Sequence, residues 1–142
     1  MVNLHKTWQN VVVALLVNST NEVLITQRGL KKTYATMWEF PGGKVEQNEK
    51  FHQALKRELK EELGLGVKIA NYIGPYIGNN NILHVYQVTN WQGEASCCED
   101  QLDLAWVKVK DLKKAQFPMT NHILIDSLIH NRRPAACPRD LV

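Results

Sequence analysis

Cysteine is scarce: Cys97 and Cys98 are adjacent, Cys137 lies near the end, and there are no others among 142 residues. This makes neither a disulfide framework nor a C-x-x-C metal knuckle, so a reducing cytoplasm is the simplest compartment and a packing role is expected for the cysteine pair. Long apolar runs are missing too. The longest, Val11 to Val17, falls far short of the roughly 20 residues that a membrane-spanning helix needs. Met1 to Gln9 holds no continuous apolar stretch, so neither a secretory signal nor a membrane partner is expected. The histidines are dispersed, and none stands at zinc-like spacing beside a cysteine. A strong charge of one sign is also absent: the net charge is +3 and spread along the chain. The basic doublets Lys31-Lys32 and Arg132-Arg133 lack interleaved aromatics, which argues against a polymeric nucleic acid as partner.

What is present is enough apolar material, 44% of the residues, for one domain to build its own core. A single domain over residues 1–131 is expected. Arg132-Arg133-Pro134 and Pro138 break any helix beyond it, so 132–142 reads as a loose tail. Nothing in the pattern demands a second copy, and a monomer is expected.

Asn10 to Val17 and Glu22 to Arg28 are β-rich and flank Asn18-Ser19-Thr20-Asn21, a cluster of turn formers that predicts a hairpin. Further strands are expected at Val67 to Ile73, Ile82 to Thr89 and Leu104 to Val109. One helix is expected over about Glu49 to Leu63, closed by Gly64 as a left-handed cap, and another over about Asn121 to Asn131. Strands on either side of helices imply α/β architecture, a mixed β-sheet covered by helices.

The first helix carries the chemistry. Glu58 stands three residues before Glu61 and four before Glu62, so three carboxylates crowd one side of it. Each like-charge pair at these spacings costs roughly 0.2–0.5 kcal/mol in an ordinary solvated helix. Phe51, Ala54 and Leu55 project into the same sector, so the apolar face runs into the acids. Burying them unpaired is too costly without a cation. A hard divalent ion, Mg2+ in the first instance, suits an oxygen-only donor set. The alternative is a solvated acidic helix relieved by Lys56, Arg57 and Lys60. The preceding Pro41-Gly42-Gly43 turn lets backbone approach a metal or phosphate closely.

Gly43, five residues, Glu49, seven residues, and then Arg57-Glu58-Leu59-Lys60-Glu61-Glu62-Leu63-Gly64-Leu65 resembles the Nudix box at every defined position. That resemblance implies a Nudix-type α/β/α sandwich with a mixed β-sheet and a Mg2+-dependent hydrolase, Mn2+ being a possible substitute. It further implies that Glu58, Glu61, Glu62 and the Gly43 carbonyl surround the metal. Glu58 is then the first candidate for general base, partnered by Arg57. Glu49 braces the start of the helix or contacts an outer-shell ion, while Gly42 and Gly64 are structural members of the box.

The similarity continues beyond the box and looks like the MutT branch, which sanitises oxidised guanine nucleotides. Val23 to Arg28 followed by Trp38 to Gly43 has the branch's arrangement. Trp91 to Glu94 and then Glu99-Asp100-Gln101 resembles its downstream segment, with Glu99 in the position of a loop carboxylate that binds metal or acts as base. Phe117-Pro118-Met119-Thr120-Asn121 resembles the base-recognition segment. Arg28 and Glu39 are carried over beside the substrate. Phe40 either stacks on the base or packs in the core. Asn121 either reads a base edge through its amide or caps the following helix.

The expected substrate is a nucleoside triphosphate, 8-oxo-dGTP first. Thr33 stands where a histidine is often found, and Gly78 to Asn81 replaces a charged stretch, which leaves CTP or dCTP as the alternative. The marks of the ADP-ribose and diadenosine-polyphosphate branches, a proline or a tyrosine past the box, are missing from Asn79 to Leu83. A non-catalytic nucleotide-binding module is the remaining alternative, against which the complete set of box carboxylates speaks.

Overall fold

The computed structural model describes residues 8–78 and 80–130; the expected tail, 132–142, lies outside the described residues. The chain order is β1 (Gln9–Leu16), β2 (Glu22–Gln27), β3 (Trp38–Glu39), β4 (Gly42–Lys44), α1 (Phe51–Leu63), β5 (Gly66–Ile77), β6 (Asn81–Gln92), β7 (Asp103–Lys108) and α2 (His122–Ile129). Short 3₁₀ turns, the last of them Met119–Asn121, lead into α2.

The strands form two sheets, β4-β1-β6-β5 and β3-β2-β7. The first is mixed, because β1 runs parallel to β6 while its other pairings are antiparallel. Val12 to Leu16 are all buried, as befits a strand covered on both faces. The faces separate by parity. Val12, Ala14 and Leu16 pack with Ala54, Leu55, Leu59 and Leu63 of α1, whereas Val13 and Leu15 pack with Phe117, Leu124 and Ile125 around α2. In β2, Leu24 joins the first cluster and Val23 and Ile25 the second. The sheets therefore lie between the two helices, in the α/β/α arrangement the sequence implies.

The predicted hairpin is corrected. Asn18 does shape a turn, its Oδ1 accepting from the backbone N–H groups of Thr20 and Glu22. Yet β1 and β2 share only the isolated Val17–Val23 bridge and then enter different sheets. Each strand has two edges, and those of β1 are taken by β4 and β6, those of β2 by β3 and β7.

β5 and β6 also run farther than predicted. Gly74-Pro75 looks like a strand end, but β5 lies at the edge of its sheet, where proline is tolerated, and a register shift between Tyr72 and Gly74 absorbs the irregularity. α1 begins at Phe51 rather than Glu49, with the Gln53 side chain accepting from the Lys50 N–H at 2.9 Å. Its predicted terminus holds: Gly64 adopts φ 72° and its N–H returns to Lys60. Cys97 and Cys98, expected to pack, are exposed.

Candidate active site

The Gly42-Gly43 strand lies against β1, pairing Val12 with Gly43 and Val13 with Gly42, and α1 packs behind it. The two glycines are needed for different reasons. Gly42 has φ 153°, and a Cβ on it would stand 2.0 Å from the Val12 carbonyl oxygen. Gly43 is not in the left-handed region; a Cβ there would stand 2.4 Å from the Glu58 carboxyl carbon and Oε1. The missing side chain at 43 is thus the space that the Glu58 carboxylate occupies.

Arg57 organises the acids around it. Its Nε and Nη2 donate to the two Glu49 carboxylate oxygens at 2.7 and 3.0 Å, and Nη1 donates to Glu58 at 2.9 Å and Glu61 at 3.3 Å. A further bond runs from Nη2 to the Lys44 carbonyl. The forked contact with Glu49 is the kind that fixes a guanidinium's plane. It holds the Glu49 carboxyl down at about 2. Glu49 therefore braces Arg57, and through it Glu58, and its second role is to accept from the Glu46 N–H ahead of the helix. A lysine cannot make this fork. Arg57→Lys is expected to lower kcat about 10–100-fold, in the range for partners that orient metal ligands, with little change in Tm; paired kinetics and thermal melts check this.

Glu62 is half-buried. Its acid is pushed up to about 9, first by burial and then by the charge of Glu58 and their mutual hydrogen bond, despite a weak 3.4 Å bond from the Gly42 N–H. Two carboxyls in contact share a site that calls for a proton or a cation, since Arg57 is committed mainly to Glu49. Among the described residues, no three acids already converge as a metal cage. Glu61 is turned toward Arg57 and 53% exposed, so the pair Glu58 and Glu62 is brought together and Glu61 is not. The oxygen-only donor set with a half-buried carboxyl pair fits a divalent ion, for which Glu58, Glu62 and the Gly43 carbonyl are the donors at hand, and Glu61 would have to turn from Arg57 to join them.

The loop after β6 is tied to the end of α1. Ser96 and Cys98 donate their backbone N–H groups to the Leu63 and Glu62 carbonyls, and Gln101 Nε2 also donates to Glu62 O at 3.0 Å. These bonds bring Glu99 into the wall of a cleft of about 770 Å³ that also contains Gly43, Glu58, Glu61 and Glu62. Glu99 itself is exposed.

The same cleft reaches Arg28, Glu39, Phe40 and Asn121. Arg28 donates from Nη1 to Glu39 at 2.6 Å and from Nε to the Thr33 carbonyl at 2.6 Å, so it enters the cleft as half of an ion pair. Burial raises the Glu39 acid, and Arg28 opposes the rise. Phe40 is only 5% exposed and stacks on Phe117 with centroids 5.5 Å apart, so most of its ring serves the core. Asn121 occupies the cap position of α2, yet its side chain makes no capping hydrogen bond. Lys32, Tyr34 and Asn81, to which the sequence reading assigned no role, line this cleft as well, as do Asp100 and Thr120 beside the expected Glu99 and Asn121. Lys32 and Tyr34 share no motif with Asn81, and only the fold collects them.

Comparison with known proteins places the chain among relatives of one family. The model of the NUDIX domain matches residues 7–127. An 8-oxo-dGTP diphosphatase of Buchnera aphidicola subsp. Schizaphis graminum is 35% identical over 122 residues, 84% of this chain and 92% of its own. A CTP pyrophosphohydrolase of Escherichia coli K12 is 34% identical over 112 residues, 76% of this chain and 81% of its own. Among solved structures, a MutT from work on Aliivibrio salmonicida and Vibrio cholerae superposes with TM-score 0.78 at 32% identity, covering 88% of this chain and 99% of its own. Nudix hydrolases generally use divalent metal ions, which the donor set around Glu58 fits. The fold, the complete box and these likenesses converge on one conclusion: the chain belongs to the NUDIX domain family, as a MutT-like hydrolase of nucleotide phosphoanhydride bonds.

Proposed function

We propose that the protein is a Mg2+-dependent nucleoside triphosphate pyrophosphohydrolase that removes 8-oxo-dGTP from the cytoplasmic nucleotide pool, acting as a monomer. The observation that carries this reading is the continuity of one cleft from the Glu58–Glu62 pair to the uncommitted amide of Asn121. A triphosphate fits beside the acids only with a cation, and Phe40, Leu83 and Asn121 line the same cleft, where a base can be held. The relatives named for 8-oxo-dGTP support the choice of base.

In this reading a water attacks an inner phosphorus, the bridging P–O bond breaks, and nucleoside monophosphate and pyrophosphate leave. Glu58, held by Arg57, takes the proton from the water; Glu99, on the loop across the cleft, is the other acid within the site able to do so. When bound at Glu58, Glu61 and Glu62, the divalent ion, Mg2+ or alternatively Mn2+, supplies charge neutralisation and a lowered pKa for water. Arg28 orients the nucleotide from its Glu39-braced position, and Asn121 offers a donor and an acceptor to the base edge.

The second reading is a cytidine nucleotide, favoured by the CTP pyrophosphohydrolase relative. Pyrophosphate release from 8-oxo-dGTP, dGTP, CTP, dCTP and ADP-ribose, each at low micromolar concentration with Mg2+, separates them. The expected result is the highest kcat/KM for 8-oxo-dGTP. A preference for CTP or dCTP would replace the substrate and leave the chemistry; tight binding without hydrolysis of any of them would reduce the protein to a nucleotide-binding module.

A further inference from the structure

Cys97 and Cys98 are exposed free thiols, and no step of the proposed chemistry uses them. They stand in the loop between β6 and β7, directly before Glu99. The loop is held by its backbone. The Cys98 N–H donates to the Glu62 carbonyl at 3.0 Å and the Ser96 N–H to the Leu63 carbonyl at 3.2 Å, so the peptide between the two cysteines is itself one of the ties to the end of α1. Glu99 comes next, its own N–H donating to Gln101 Oε1 while Gln101 Nε2 donates to Glu62 O. The Cys98 sulfur lies beside the same helix end: it is 3.4 Å from Ser96 Oγ and 3.4 Å from where a Cβ on Gly64 would stand.

Covalent geometry couples the two sulfurs to that peptide. Adjacent residues have Cα atoms about 3.8 Å apart across a trans peptide, less than the roughly 4.4–6.8 Å that disulfides usually span. A bond between the two sulfurs therefore requires the 97–98 peptide to twist, and twisting turns the Cys98 N–H off the Glu62 oxygen. Strained, exposed disulfides of this kind are the easily reduced ones.

We propose that Cys97 and Cys98 form an oxidation site, closed to a vicinal disulfide by hydrogen peroxide and reopened by a thiol reductant, and that closure unfastens the Glu99 loop from α1 and slows the enzyme. One thiolate attacks a peroxide oxygen, the O–O bond breaks, and water leaves behind a sulfenic acid. The neighbouring thiolate attacks that sulfur, the S–O bond breaks, and a second water leaves. The two thiols lose two electrons and two protons in all, and the peroxide takes up both. The effect on turnover rests on the proposed function, because it acts through Glu99 and Glu62. The disulfide and the loosened loop do not depend on it.

The test is titration of the Cys137→Ser protein, in which this pair holds the remaining thiols, with hydrogen peroxide, beside a control that also carries Cys97→Ser. Both thiols should disappear together, the intact mass should fall by two hydrogens with no covalent dimer, and amide exchange over 96–101 should quicken. Turnover of whichever triphosphate the protein hydrolyses should drop about tenfold or more, the scale of lost support around a metal site, and dithiothreitol should restore it. The control should start at the activity of its parent and keep most of it at the same dose. Added oxygen without loss of the second thiol, or a covalent dimer, would overturn the vicinal disulfide. A disulfide that leaves exchange and turnover unchanged would remove its control of the loop, and an equal loss in the control would assign the effect to damage elsewhere. If the untreated protein hydrolyses no triphosphate, the proposed function falls instead, and the thiol count and amide exchange still decide the pair.

Discussion

Glu58→Gln is expected to lower kcat by about 10²–10⁴-fold, the usual contribution of a positioned acid or base, and Glu62→Gln is expected to match or exceed that loss. Glu58 holds the space that Gly43 leaves open and is aligned by Arg57 at 2.9 Å; an amide there can neither take a proton nor supply the same charge to a cation. Glu62 contributes through the charge it cannot comfortably carry alone. Its acid is pushed up to about 9 by burial and by Glu58, so metal-free native protein holds a proton that the unfolded chain releases near the ordinary carboxylate range. Stability of the metal-free protein from this group should therefore fall as pH rises from about 4.5 toward 9.

Two melting experiments separate this account from a merely structural one. In metal-free buffer, Glu62→Gln should be at least as stable as wild type and lose part of the decline across that pH window. With Mn2+ or Mg2+ added near neutral pH, wild-type Tm should rise by mass action, and the variant should gain much less. Near-normal turnover in both variants would remove these residues from the chemistry. An equal metal-induced rise in wild type and Glu62→Gln would remove Glu62 from the ion.

The sequence made the acidic end of the cleft legible because its residues are local. Glu58 and Glu62 fall on one helix face by periodicity, and Ala54, Leu55, Leu59 and Leu63 are buried beside them, so the conflict between apolar packing and charge could be read from spacing. Parity in β1 and β2 likewise sets the layers. Which strands pair was not legible, since a turn at Asn18 to Asn21 is compatible with a hairpin or with two strands parting into different sheets. The choice depends on β4, β6 and β7, distant in sequence. The rest of the cleft shows the same limit. Asn81 and Lys32 carry no local signature, and the bonds that bring Glu99 toward α1 run through backbone carbonyls of Glu62 and Leu63, which any sequence would supply. Phe40 could be read either way from its neighbours, and its stacking on Phe117 becomes visible only when two segments far apart in the chain meet.

Adjacent glycines in β4 offer the sharpest separation of fold from chemistry. Gly42→Ala sets a methyl 2.0 Å from the backbone oxygen of Val12 at φ 153°, and a buried central strand cannot move aside. Strain and overpacking together should cost roughly 2–5 kcal/mol, seen as a large fall in Tm or a loss of soluble protein. Gly43→Ala meets the tip of a side chain instead, 2.4 Å from the Glu58 carboxyl. The carboxylate can rotate away, so Tm should change by only a few degrees, the response to about 1 kcal/mol in a domain of this size. The displaced carboxylate is the cost: it leaves both its contact with Glu62 and its alignment by Arg57, and kcat should drop on the order of 100-fold, the scale set by a displaced catalytic group. Measured side by side, the pair should show one variant that is unstable and one that is stable but slow. Full activity in Gly43→Ala would mean that Glu58 works from a position other than the one it holds against β4, and the role given to the open space at Gly43 would fall with it.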